Sequence, residues 1–139
     1  MVERTRSEKL KRLVTVQRHL ERMAESDLAE TSKVRGEVSQ SMDRVIDAIG
    51  SMDPVHMVFS SHYADRFGRL TQRDLQLAGI QAMIETRVLT ERTKANRLEE
   101  HMNDARTLET RESDDNAVYD IIDQQAASAT PASSKLQKS

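Results

Sequence analysis

Apolar side chains recur every seven residues from Tyr63 to Ala105. Tyr63, Leu70, Leu77, Ile84, Leu98 and Ala105 form one row, with Glu91 as its polar member. Phe67, Val88, Ala95 and Met102 form a second row four residues later, with Asp74 and Gln81 as polar members. Two rows offset by four and three residues make one narrow stripe along a helix, the seam of a coiled coil. No proline interrupts it. Gly68 and Gly79 weaken it by about 1 kcal/mol each relative to Ala without breaking it. The pattern predicts a long helix that must cover one stripe, and it predicts no pocket.

The first third of the chain has the same period. Leu10, Ala24, Val38 and Val45 keep one phase, and Val14, Leu28, Met42 and Ile49 keep the companion phase. Gln17, Glu21, Thr31 and Arg35 interrupt the seam, and Leu13, Leu20 and Val34 lie one position to its side. Thr5 or Ser7 is a candidate start for this helix. Gly50-Ser51-Met52-Asp53-Pro54 separates the two patterns. Gly50 is suited to a left-handed helix end, Asp53 to an N-cap and Pro54 to a first helical position. A connection this short predicts an antiparallel pair.

The expected fold is all-α: two long helices in an antiparallel coiled-coil hairpin over residues 1–125, followed by a tail. The first helix is expected over about 7–50 and the second over about 54–112. Ser113-Asp114-Asp115-Asn116 reads as a stop, Ala117–Gln125 as a short helix, and 126–139, rich in Ala and Ser, as disordered. Folding about residue 52 sets Ile84 level with Leu20 and Leu98 level with Arg6. Met102, Ala105 and Leu108 then continue an apolar row beyond the reach of the first helix, either solvated or open to another protein. Charge agrees with this orientation. Residues 1–12 carry five basic side chains against two acidic ones, and residues 99–123 carry nine acidic against two basic. An antiparallel fold brings these segments to the same end. Exposed pairs contribute only about 0–1 kcal/mol each, so the charges choose orientation more than they stabilise.

Composition narrows the class. The chain has 139 residues, 37% hydrophobic, 3% aromatic and 32% charged. That balance suits solvated helices rather than a thick core. A net charge of −2 gives no general attraction to nucleic acid or anionic lipid. Zero cysteines exclude a disulfide framework, a thiolate zinc site and a cysteine nucleophile. The basic start Met1–Lys11 is followed by no apolar stretch of a secretory signal. No apolar run approaches the roughly 20 residues of a membrane span.

Catalytic constellations are not legible. His19, His56, His62 and His101 lack the helical spacing of a zinc site, and the four glycines are scattered, so neither a metal nor a phosphate loop is expected. Ser60-Ser61-His62 places its side chains on different helical faces, which does not suit nucleophilic catalysis. Glu99-Glu100 and Asp114-Asp115 read as solvated faces. Arg66, Arg69 and Arg73 make a basic patch, either solvated or facing an acidic protein. Phe59, Tyr63 and Phe67 have two readings: they plug the bend of the hairpin, or they anchor a partner.

Several segments together resemble the FliJ family of flagellar export proteins and its type III secretion counterparts. They are the basic start Lys9–Leu13, the long charged first helix, and the aromatic entry Phe59 and Tyr63 followed by Leu70, Gln76 and Ile80. The charged stretch Glu91–Glu100 and the late cluster Tyr119-Asp120-Ile121-Ile122 complete the likeness. The resemblance implies a non-enzymatic, cytoplasmic component of the export apparatus at the inner membrane. Its implied partners are the hexameric export ATPase, the cytoplasmic domain of the export-gate membrane protein, and export chaperones. It implies no cofactor, nucleic acid or small-molecule substrate. By position, the gate-contacting face falls on Phe59, Tyr63, Phe67, Leu70 and Asp74, and the ATPase-facing end on Lys9, Arg12, Met102 and Leu108. A self-associating structural coiled coil unrelated to export is the alternative.

Overall fold

The computed structural model describes residues 3–134, with side chains for 3–129. It is helical throughout: α1 spans Arg6–Ile49, α2 Pro54–Val58 and α3 Ser60–Ser134. The chain divides into two compact units, one of Val14–Asn96 and one of Met1–Leu13 with Arg97–Ser139.

In the unit Val14–Asn96, α1 and α3 pack together. As the residue number rises along α1, its partner's number falls along α3. Gln17 bonds Glu91, Asp27 meets Arg87 and Arg35 meets Asp74. The helices are therefore antiparallel. The covered positions are those of the seven-residue rows. Ala24, Val38, Val45, Val88 and Ala95 are buried. Leu28, Met42, Phe67, Leu70, Leu77 and Ile84 are half-buried. The polar members of the rows are also turned inward: Glu21 is buried, and Gln17, Thr31, Arg35, Asp74, Gln81 and Glu91 are half-buried. Ile49 departs from the pattern, at 46% exposed beside the bend.

The bend is longer than the sequence suggests. Asp53 caps α2 by accepting from the Val55 amide at 3.0 Å, with Pro54 at the first position. α2 is a single turn, and the helix breaks at Phe59 before α3 begins. Residues 50–59 thus all belong to the connection, and the fold centre moves toward the C-terminus. Arg87 lies against Asp27, so Ile84 is level with the residues just past Asp27 rather than with Leu20. Gly50 also departs from expectation, since no glycine among the described residues has a positive φ. α1 closes instead by Gly50 N–H to the Ile46 carbonyl at 3.0 Å and Ser51 N–H to the Ala48 carbonyl at 3.3 Å. The tighter last turn satisfies orphan carbonyls without a left-handed residue.

In the other unit, α1 begins with a reciprocal cap. The Glu8 amide donates to the Thr5 hydroxyl, and the Thr5 amide donates to the Glu8 carboxylate, each at 3.3 Å. This is the capping-box arrangement. It frees Ser7 for a different task, donating its amide (3.0 Å) and its hydroxyl to the Glu109 carboxylate of α3. Met102 and Ala105 are buried here. The expectation that they lie beyond the reach of the first helix is therefore not met, because within this unit α1 meets α3 through Ser7 and Glu109. α3 then continues through Ser113–Asn116 without stopping. Ser, Asp and Asn are mediocre helix residues but cost only a fraction of a kcal/mol each, roughly 0.7 at most, and no Gly or Pro joins them. Residues 126–134, expected as disordered tail, continue the helix; residues 135–139 lie outside the described residues. Every side chain from Thr110 to Ala129 is exposed.

Val88→Ala, which empties a buried seam position, is expected to destabilise by about 1–3 kcal/mol. Ile122→Ala, on the exposed stretch of α3, is expected to change stability by less than ~0.5 kcal/mol. Urea unfolding followed by circular dichroism distinguishes the two.

Candidate partner-binding surfaces

The bend end of the Val14–Asn96 unit holds the first group of candidate residues. Tyr63 is half-buried, its hydroxyl 3.0 Å from His56 Nδ1 and its ring 5.8 Å from the imidazole centroid at 49°. It borders a notch of about 220 Å³ with Val45, Ala48, Arg44 and Arg66. Phe67 and Leu70 are half-buried along the same stripe, and Phe59, at the helix break, is 49% exposed. The structure thus splits the aromatic group. Tyr63 and Phe67 serve the packing, and Phe59 faces outward.

Asp74 is engaged within the chain. Its carboxylate accepts from Arg35 Nε at 3.1 Å and from Nη2 at 3.5 Å, while Arg35 Nη1 donates to Gln81 Oε1 at 3.0 Å. One arginine of α1 therefore satisfies both polar members of the second α3 row. Further along, Gln17 donates to the Glu91 carboxylate and, at 3.3 Å, to its main-chain carbonyl. Glu21 is held by Arg18 at 2.8 Å and by Arg92 at 3.0 Å, and Arg92 also reaches Glu25 at 3.0 Å. These bonds hold the Glu21 carboxyl below the usual carboxylate range, Arg18 contributing most and Arg92 next, against the opposing effect of burial. The same pairs, led by Glu21, raise Arg92.

On the outer face of α3, Arg69 and Arg73 flank an open groove of about 680 Å³ lined also by Ala64, Gly68, Gln72 and Gln76. Asp65 lines the same groove, so its charge is mixed rather than purely basic.

In the other unit, Lys9 and Arg12 are exposed on α1 and Leu108 is 58% exposed on α3. Met102 is 8% exposed, so it supports the packing rather than presenting a face. Glu109 is held below the usual carboxylate range, chiefly by the Ser7 hydroxyl and then by the Ser7 amide. Beyond it the helix exposes Val118, Tyr119, Ile121 and Ile122 amid Glu112, Asp114, Asp115, Asp120 and Asp123.

One surface was missed by the sequence reading. Met52, Val55, Met57 and Val58 are 92%, 60%, 65% and 76% exposed at the bend. The signal was available, because a bend is ordinarily polar and this one is not.

Among the described residues no helix is long and apolar enough to cross a membrane. No family model, no curated protein and no solved structure matches the chain.

Arg35→Ala leaves Asp74 and Gln81 half-buried without their partner across the seam, and is expected to cost about 1–2 kcal/mol. Arg87→Ala, which loses a more exposed pair, is expected to cost less than ~1 kcal/mol; chemical unfolding measures both. Acid should weaken the fold through Glu21. Its folded pKa lies below the unfolded one, so its contribution is complete above the ordinary carboxylate value of about 4.3 and disappears as pH falls through the lowered value. Thermal midpoints taken downward from neutral pH should drop in that acidic window, and less steeply for Glu21→Gln.

Proposed function

We propose that this chain is a non-enzymatic antiparallel coiled-coil adaptor of a flagellar-type, type III protein export apparatus. The observation that carries the reading is the pairing of α1 and α3 along two seven-residue rows, combined with an α3 that runs on past Glu109 with every side chain through Ala129 exposed. A paired helical body supports position and register, and an uncovered acidic and apolar helix is a surface for another protein. The resemblance of Lys9–Leu13, Phe59, Tyr63 and Glu91–Glu100 to the FliJ family gives the partners their identity: the export ATPase, the export gate and export chaperones. On this reading the protein works in the cytoplasm at the inner membrane.

The ATPase-facing end comprises Lys9, Arg12 and Leu108, with Met102 holding the helix that presents Leu108. At the gate-facing end Phe59 makes the contact, and Tyr63, Phe67 and Leu70 pack behind it to hold the helix that presents it. Asp74, committed to Arg35, contributes by fixing the helices rather than by direct contact.

Leu108→Asp places a charge on an exposed position, so helicity should be unchanged while binding to the purified export ATPase falls by an order of magnitude or more, as hot-spot losses of about 1.4 kcal/mol and above produce. Pull-down and titration calorimetry measure this. A wild-type chain that binds neither the ATPase nor the gate domain rejects the proposal.

A further inference from the structure

We propose that, in the chain not engaged with the export gate, the bend is a homodimer contact, in which the apolar tip of one chain packs against the same tip of a second copy, the gate and the second copy competing for Phe59. Six large apolar side chains lie within eleven residues of sequence there: Ile49, Met52, Val55, Met57, Val58 and Phe59, each 46–92% exposed. Soluble monomers rarely leave so dense a cluster uncovered.

The cluster contains both halves of an interface. Ile49, Met52 and Met57 line a concavity of about 340 Å³ together with Gly50, Ser51 and Ser60. Val58 and Phe59, immediately after Met57, stand out at 76% and 49% exposure. A surface that carries its own projection and its own recess is the requirement of an isologous contact, in which each copy fills the other. Methionine suits the recess, because its unbranched thioether adapts to the shape inserted.

Charge favours a second copy over a lipid surface. No Lys or Arg occurs between Val45 and Asp65, while Asp47 and Asp53 do; an element that enters an anionic membrane surface is ordinarily basic. The area is also sufficient. At roughly 100 Å² per side chain, the cluster offers on the order of 600 Å² per copy, at the lower end of stable interfaces. An interface of that size predicts a dimer that dissociates on dilution.

Sedimentation velocity of the full chain from about 1 to about 200 μM should show a monomer giving way to a dimer. Met52→Asp and Val58→Asp, both at exposed positions, should remain monomeric over that range with unchanged helical circular dichroism. The chain has no native cysteine, so Met52→Cys should form an intermolecular disulfide under mild oxidation, while Val118→Cys should not. A wild-type chain that stays monomeric throughout overturns the proposal, as does a dimer that survives both aspartates. Should either aspartate lose helicity, the cysteine pair decides: cross-linking through Val118→Cys but not Met52→Cys places self-association elsewhere and equally overturns it. Sedimentation of wild type with anionic vesicles, abolished by Met52→Asp, would assign the tip to lipid instead.

Discussion

Register is the constraint on which the packing of α1 against α3 depends, and polar residues inside the seam set it. A stripe made only of Leu, Val and Ala could slide by seven residues and still bury apolar surface. Arg35 cannot, because its guanidinium must meet Asp74 and Gln81 together. Gln17 must likewise meet Glu91, and Ser7 must meet Glu109. A slip of seven residues would set Gln17 against Ile84 or Leu98 in place of Glu91, and would leave Arg35 with only one of its two partners. Each such mismatch costs about 1–3 kcal/mol, while the correct match yields little net stabilisation. Their contribution is therefore specificity, as single polar seam positions provide elsewhere.

The seam was legible in the sequence down to its interruptions. Gln17, Glu21, Thr31 and Arg35 on one helix, and Asp74, Gln81 and Glu91 on the other, fell on the rows and turned inward. What the sequence did not disclose was which interruption faced which. That depends on the length of the connection, and Pro54–Val58 looks like the opening turn of the second helix when read alone. The break at Phe59 leaves no Gly or Pro to announce it. Met102 looked uncovered and is buried, while Leu108 is exposed even though α1 reaches Glu109 beside it. The stop at Ser113–Asn116 failed for a different reason. Capping residues end a helix only where a better alternative is offered to the backbone, and four polar residues without Gly or Pro offer none.

The candidate surfaces were legible in the same uneven way. Residues chosen for their chemistry, such as Asp74 and Tyr63, prove to be occupied by neighbours within the chain. Residues of ordinary apolar type at an unusual place, Met52 and Val58 among them, are the ones left uncovered. Type alone does not separate packing from recognition in a protein this thin in core, since nearly every apolar side chain has a plausible place in the seam. Exposure separates them, and it follows from register.

The spacing of the cross-helix bonds along the chain has a kinetic consequence. The Arg35–Asp74 link closes a loop of 39 residues, Gln17–Glu91 one of 74 and Ser7–Glu109 one of 102. Loop-closure entropy grows only logarithmically with length, but the shortest link is still the least costly to form first. Among these polar links Arg35–Asp74 is the one that the shortest stretch of chain must close, so the pairing that makes the most exacting demand on alignment is also the one that gives up the least chain entropy.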